Sequence, residues 1–256
     1  MYPPSTVKNI LFIDIETVSC AASYEQLTDC QKLLWNKKAA SLGKTDPQEA
    51  QDLFFERAAI YAEFGKVIVI GLGCIKFEDG GEPVLYIHTL SDHHEATLLQ
   101  KFSNIVEKYQ PESLKFCAHN GKEFDYPYLC RRMLVNGIGL PRPLQLTGRK
   151  PWEVAHLDTM EMWKFGDKKS FISLDLLANL FGITSSKSLM DGSQVNHVYY
   201  TENDLTRIAS YCAQDVVVTA QIYLKLNNWQ TIRETSIIFA WRHVYKKLAK
   251  HVLNLV

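Results

Sequence analysis

Two carboxylates one residue apart, Asp14-Ile-Glu16, close the apolar run Ile10-Leu11-Phe12-Ile13. A run apolar at every position reads as a strand buried on both faces. Alternate strand residues share a face, so Asp14 and Glu16 point the same way, with Cα atoms roughly 7 Å apart. Two anions side by side at the edge of a core repel each other and lose hydration. A hard divalent cation between them relieves both costs. A strand that ends in solvent, with Glu16-Thr17 opening a loop, accounts for the pair equally well.

Two further constellations lie far along the chain. His119-Asn-Gly-Lys-Glu-Phe-Asp125-Tyr-Pro-Tyr-Leu129 follows the short apolar stretch ending at Ala118. Asn120-Gly121 signals a turn, and Asp125 falls in the first turns of the next helix. Acidic residues near a helix start are ordinary, which explains Glu123 better than Asp125. Tyr211-Cys-Ala-Gln-Asp215 lies in a helical pattern from about Glu202 to Leu226, with Thr201 as N-cap and Asp204 three residues on. Its stripe reads Ile208, Tyr211, Cys212, Asp215, Val218, Thr219 and Ile222, one helix face. A carboxylate within that stripe needs a partner or must keep its proton, and a salt bridge to Lys or Arg would serve.

Taken in order, Asp-x-Glu, Asn-x-x-x-Phe-Asp and Tyr-x-x-x-Asp resemble the motifs of the DEDD 3′–5′ exonucleases, the DnaQ-like branch of the ribonuclease-H-like fold. Tyr211 resembles the tyrosine of the DEDDy subgroup. Asn120 to Leu129 is similar to the proofreading exonuclease domain of family B DNA polymerases. The whole chain also resembles a stand-alone bacterial family of polymerase-B-related predicted exonucleases, through Ala62-Glu-Phe-Gly65 and Met190-Asp-Gly-Ser-Gln-Val195. The resemblance covers roughly residues 8 to 225. It implies an α/β, ribonuclease-H-like fold: a central mixed five-stranded sheet flanked by helices, with a helical insertion after the first strand.

It also implies a reaction, the hydrolysis of the last phosphodiester at a free 3′ end with release of nucleoside 5′-monophosphates. Two metal ions would assist, Mg²⁺ as the expected ion and Mn²⁺ as a substitute, since the ligands are all oxygen. By resemblance, Asp14 bridges both ions, Glu16 and Asp215 complete the nucleophile-side metal, and Asp125 serves the other. Tyr211 orients the attacking water; with a normal pKa of about 10, a tyrosine is a poor general base. Thr17, Asn120 and Phe124 are candidate substrate contacts, although Thr17 also suits a strand end and Phe124 also suits the core. Lys122, Arg149, Lys150, Lys168 and Lys169 are candidate phosphate contacts or plain surface charges. His93-His94-Glu95 reads as a polar surface helix start, His119 as a strand-end residue, and Asp158 as an N-cap or a support for the metal site.

The bulk properties agree with an enzyme of this kind. The 256 residues fit one large domain or two small ones, and apolar content is ample for a core. Formal net charge is zero, which argues against a general nucleic-acid coat protein but not against an enzyme that grips a few nucleotides. Six scattered cysteines form no Cys-x-x-Cys pair, so neither a zinc site nor a disulfide framework is expected. No apolar run nears the roughly 20 residues of a membrane helix, and the N-terminus lacks a signal peptide's regions. The expectation is a cytoplasmic protein that meets no membrane.

Along the chain, residues 1–256 read as a single exonuclease domain, with 18–64 as the helical insertion and 228–256 as a C-terminal helical tail. Asp46-Pro-Gln-Glu49 signals a helix start. Strands are expected over 8–16, 66–75, 84–89, 114–118 and 154–158, and helices from Ser91 or Asp92 to about Tyr109, over 123–136, and from Leu174 to Phe181 behind a Ser173 cap. Residues 184–200 look irregular. The substrate is expected to be a single strand with a free 3′ end. Single-stranded DNA is the leading reading. An exoribonuclease on RNA ends shares the motifs, and a catalytically silent module that binds nucleic-acid ends would keep the fold without the four carboxylates that are present here.

Overall fold

The computed structural model describes residues 1–78, 81–167, 171–185 and 190–240. Six strands form one mixed sheet in the order β5-β4-β1-β2-β3-β6. They are β1 (Ile10–Ser19), β2 (Gly65–Phe77), β3 (Pro83–Ser91), β4 (Lys115–Ala118), β5 (Leu157–Asp158) and β6 (Ile237–Ala240). β1, β2 and β3 pair antiparallel, whereas β4 and β5 extend the sheet in parallel on the other side of β1. The helices are α1 (Asp29–Ser41), α2 (Pro47–Arg57), α3 (Glu95–Val106), α4 (Asp125–Val135), α5 (Thr159–Lys164), α6 (Leu174–Leu180), α7 (Val195–His197) and α8 (Leu205–Leu226). Among the described residues, no helix is long and apolar enough to cross a membrane.

The central strand is apolar on both faces because both are covered. Leu11, Ile13 and Ile15 pack with Leu98, Phe102 and Leu129 of α3 and α4. Ile10 and Phe12 pack on the opposite face with Val216, Val217 and Ala220 of α8. Asp14 and Glu16 continue the second register, so the two-residue period of the strand aims both carboxylates at α8.

The expected mixed sheet is present, but with six strands rather than five. The sixth comes from the tail expected to be helical. Glu234–Ser236 form one 3-10 turn, and Ile237–Ala240 then pair in parallel with β3. Ile237, Ile238 and Phe239 suit a pleated surface, and pairing covers an otherwise open edge of β3. Residues 241–256 of that tail lie outside the described residues.

The excursion between β1 and β2 is helical, as expected, and carries its own small core of Leu27, Trp35, Phe54 and Ala58. Asp46 caps α2 by accepting the Gln48 and Glu49 amides, with Pro47 in the first helical position. Ser173 caps α6 as expected. The stretch expected to be irregular after residue 184 is largely short helical turns where described, Gly192–Gln194, α7 and Val198–Glu202. Asn203 then turns left-handed at φ 55°, so α8 restarts at Leu205. Its N-cap is therefore Asp204, accepting the Arg207 amide at 2.9 Å, and not Thr201.

Candidate active site

Asp14 and Glu16 lie inside β1, not at its end. The strand runs on to Ser19, with a register shift between Glu16 and Thr17. β4 pairs with β1 only as far as Phe12, so beyond that point β1 has lost its neighbour on one side. The Asp125 carboxylate lies near that edge, close enough for the Ile15 main-chain N–H to lower its pKa. Asp125 is buried at the first position of α4.

α8 closes the site from the other side. Its stripe of Ile208, Tyr211, Cys212, Asp215, Val218, Thr219 and Ile222 is buried throughout. The helix comes close because β2 presents Gly71 and Gly73 to it. A Cβ at Gly71 would lie 2.7 Å from Val216 Cγ2 and 3.2 Å from the Cys212 carbonyl. Gly71 stands directly opposite Asp14 in the sheet register. Glycine at this position thus lets Asp215 and Tyr211 reach the strand that carries Asp14 and Glu16.

The second motif is held by Asp158, which is the N-cap that one of its two readings expected and also binds the Asn120 turn. Its carboxylate caps α5 through the Met160 and Glu161 amides. It also accepts the amides of Asn120 and Lys122, each at 3.0 Å. Asn120 is left-handed at φ 63°, so the turn doubles back before Asp125 enters α4. His119, read as a strand end, ties this turn to the neighbouring elements through Thr159 Oγ1 and the Ile172 carbonyl, each at 2.9 Å.

The electrostatics show four carboxylates acting on one another. Burial raises the pKa of Asp14 well above the carboxylate range, and the charges of Glu16, Asp215 and Asp125 raise it further. Burial does the same to Glu16, with Asp215 and Asp125 adding to it. Asp125 is pushed up to about 7, mainly by burial, although main-chain donors counteract part of the shift. Oxygens of Asp14 and Glu16 and the Cys212 sulfur lie within 4.8 Å of one another. Asp14 is half-buried as a residue, yet its Oδ2 is inaccessible and without a hydrogen-bond partner among the described residues. A buried carboxylate oxygen without a hydrogen-bond partner among the described residues, beside three further carboxylates, fits a cation-binding centre. The Tyr211 hydroxyl interacts with the Asp215 carboxylate. Burial and the charges of Asp215, Glu16 and Asp14 drive its pKa far above the usual tyrosine range.

The outer candidates differ in their standing. Thr17 is buried and its hydroxyl donates to the Ala59 carbonyl at 2.9 Å. Phe124 packs against Tyr128 in the core cluster around α4. Lys122 is paired with Glu161 at 2.6 Å. Arg149 and Lys150 are exposed, and Lys168 and Lys169 lie outside the described residues. Glu95 is not the surface residue expected. It is buried, bound by Arg132 Nη2 at 2.6 Å, and accepts the Val67 amide at 2.8 Å. Its partner comes from α4, thirty-seven residues on, which local polarity does not reveal.

Cys212 is the neighbour that the sequence presents only as core. Its thiol donates to the Asp14 carbonyl at 3.4 Å. The available signal was its place on the Tyr211–Asp215 helix face.

No curated protein matches the chain. A solved family B DNA polymerase from the hyperthermophilic archaeon Pyrobaculum calidifontis is similar at 16% identity with a TM-score of 0.46. That likeness covers 91% of this chain and 27% of the polymerase, so the chain spans about a quarter of that protein's length. A family model matches residues 60–250, which include the second and third motifs and most of the sheet. With most of its length matched, the chain belongs to the family of predicted 3′–5′ exonucleases related to the exonuclease domain of PolB.

Proposed function

We propose that the chain hydrolyses the terminal phosphodiester of single-stranded DNA from a free 3′ end and releases nucleoside 5′-monophosphates. Asp14, Glu16, Asp125 and Asp215 would hold two divalent cations, Mg²⁺ by preference and Mn²⁺ as a substitute, since each carboxylate donor is a hard oxygen. The observation that carries this reading is the buried, unpartnered Oδ2 of Asp14 beside three like charges. Cations bound there would neutralise the carboxylates, offset the charge of the phosphate and lower the pKa of an attacking water.

The protein's own share is positioning. Tyr211 stays neutral, so its hydroxyl can hold the attacking water through a hydrogen bond. With so high a pKa it holds that water and does not take its proton. The Thr17 hydroxyl has given its proton to Ala59, which leaves it only as an acceptor toward a terminal nucleotide. The Asn120 turn, fixed by Asp158, would flank the strand's path.

A single strand is the expected substrate because a duplex end must fray before its last phosphodiester reaches a buried site, at about 1.4 kcal/mol per base-pair step. The test is a 5′-labelled single-stranded DNA incubated with Mg²⁺ or with chelator, beside an RNA of the same sequence. The expected result is a ladder that shortens one nucleotide at a time, only with metal, and faster on DNA. Cleavage of circular single-stranded DNA at a similar rate would make the enzyme an endonuclease and end this reading.

A further inference from the structure

An open groove of about 320 Å³ is lined by residues of α4 and of the segment 140–154. Tyr126, Leu134, Leu144 and Leu146 are among its apolar lining. Its charged lining residues are Lys122, Arg131 and Arg149, and no acidic residue lines it. Lys122 is already neutralised by Glu161. Arg131 and Arg149 are exposed, and neither forms an ion pair among the described residues. The nearby Glu153 carboxylate is occupied by the Lys150 amide at 2.8 Å. Trp152, between the lining residues Arg149 and Val154 in sequence, is 75% exposed, with the Lys150 ammonium 5.2 Å from its ring centroid.

This combination has a chemical meaning. An apolar trough of this size is within the range of small-ligand sites. Two unpaired guanidiniums at its rim select for an anion and suit phosphate geometry. An exposed tryptophan offers a stacking face to any base. The net charge of the chain is zero, so a locally cationic groove is not the by-product of a basic protein. Lys122, Tyr126 and Pro127 also line it and flank Asp125 in sequence, so it adjoins the second motif.

We propose that this groove is a second subsite for the single strand, upstream of the 3′ end, taking one nucleotide with its base in the apolar trough and its flanking phosphates on Arg131 and Arg149. Trp152 stacks on the neighbouring base. The assignment deepens the exonuclease reading and rests on it for the identity of the ligand.

The test measures binding in chelator, where no hydrolysis occurs, using fluorescent DNA dinucleotide and decanucleotide. Wild-type protein should bind the decanucleotide more tightly, because only the longer strand reaches the groove. In the double variant R131Q/R149Q that advantage should shrink about tenfold, and the salt dependence of decanucleotide binding should weaken by about 1.4 in log–log slope, since each single-strand phosphate contact contributes about 0.7. Trp152→Ala should lose about tenfold without a change in slope, as expected for lost stacking. Both arginines are exposed, so a matching thermal melt is expected, and R149E extends the series if it is needed.

Unchanged decanucleotide affinity and slope in R131Q/R149Q would overturn the proposal. So would binding of an acidic, leucine-containing peptide that the double variant loses while nucleic-acid binding persists, since the groove would then belong to a protein partner. If the chain binds by length as described yet degrades nothing with Mg²⁺, the exonuclease reading fails and the groove stands.

Discussion

The thiol of Cys212 donates to the main-chain carbonyl of Asp14 across 3.4 Å, a direct contact between α8 and the strand that carries the first two carboxylates. Gly71 lies opposite Asp14 on the adjacent strand and leaves the space into which α8 settles. The candidate site therefore rests on a helix–sheet approach that a side chain at position 71 would crowd.

Gly71→Ala should move that helix. The new Cβ would meet both the Val216 side chain and the Cys212 main chain, and the latter cannot rotate away. Overpacking of this kind costs about 1–3 kcal/mol. The displacement carries Tyr211 and Asp215 with it, and a misplacement of about 1 Å can cost on the order of 10²-fold in rate. A thermal melt paired with hydrolysis of single-stranded DNA checks both. Full activity with a lowered melting temperature would show that α8 need not sit this close.

Asp14→Asn should abolish hydrolysis and raise the stability of the metal-free protein. The substitution keeps the shape and removes one of four mutually repelling charges. Relief of about 1 kcal/mol would raise the midpoint by about 2–4 °C in a domain of this size. The same variant should lose the stabilisation that Mg²⁺ gives the wild type. A variant that retains hydrolysis would remove Asp14 from the reaction.

The pH dependence of the metal-free protein should run against the usual trend for carboxylates. Unfolded, these groups ionise near pH 4. Folded, Asp125 holds its proton up to about 7, and Asp14 and Glu16 are raised as well. Between those limits the native state binds more protons than the unfolded one, so stability falls as pH rises through about 4 to 7. Metal binding needs the carboxylates ionised, so Mg²⁺ should stabilise strongly at pH 8 and little at pH 5. Calorimetric midpoints with chelator and with Mg²⁺ at both pH values test this, and equal Mg²⁺ stabilisation at the two would contradict it.

The parts of this site that could be read from the sequence are those set by local periodicity. The two-residue period of β1 puts Asp14 and Glu16 on one face, and the three-four spacing of α8 puts Tyr211 with Asp215. What could not be read depends on pairing between distant segments. Gly71 matters only because the strand register sets it against Asp14. Glu95 reads as surface until Arg132 arrives from α4. Asp158 reads as either a helix cap or a support for the site, and only the fold, by laying the Asn120 turn over the start of α5, shows that the capping carboxylate also holds that turn. β6 was misread as helix because nothing within residues 228–240 records the open edge of β3 that it covers.

Tyr211→Phe separates orientation from metal binding. The ring and its packing remain, while the hydroxyl that interacts with Asp215 is lost. A rate loss on the order of 10²-fold is expected, typical of removing one positioned group. Mg²⁺ affinity, read by the shift in melting temperature, should barely change because the carboxylates persist. Unaltered turnover would leave Tyr211 as a core tyrosine.

Asp158→Ala should loosen the second motif without touching the four central carboxylates. Asp158 is 3% exposed and accepts four main-chain N–H groups, from Asn120, Lys122, Met160 and Glu161. Loss of the helix cap costs about 1 kcal/mol and each amide left unpaired in a buried setting about 1–3 kcal/mol, so a loss of several kcal/mol is expected. Because the Asn120 turn leads directly into Asp125, catalysis should fall as well. Amide hydrogen exchange distinguishes this from general destabilisation. The Asn120 and Lys122 amides should lose protection well before those of α8. If all exchange together, Asp158 stabilises the whole fold and not this turn.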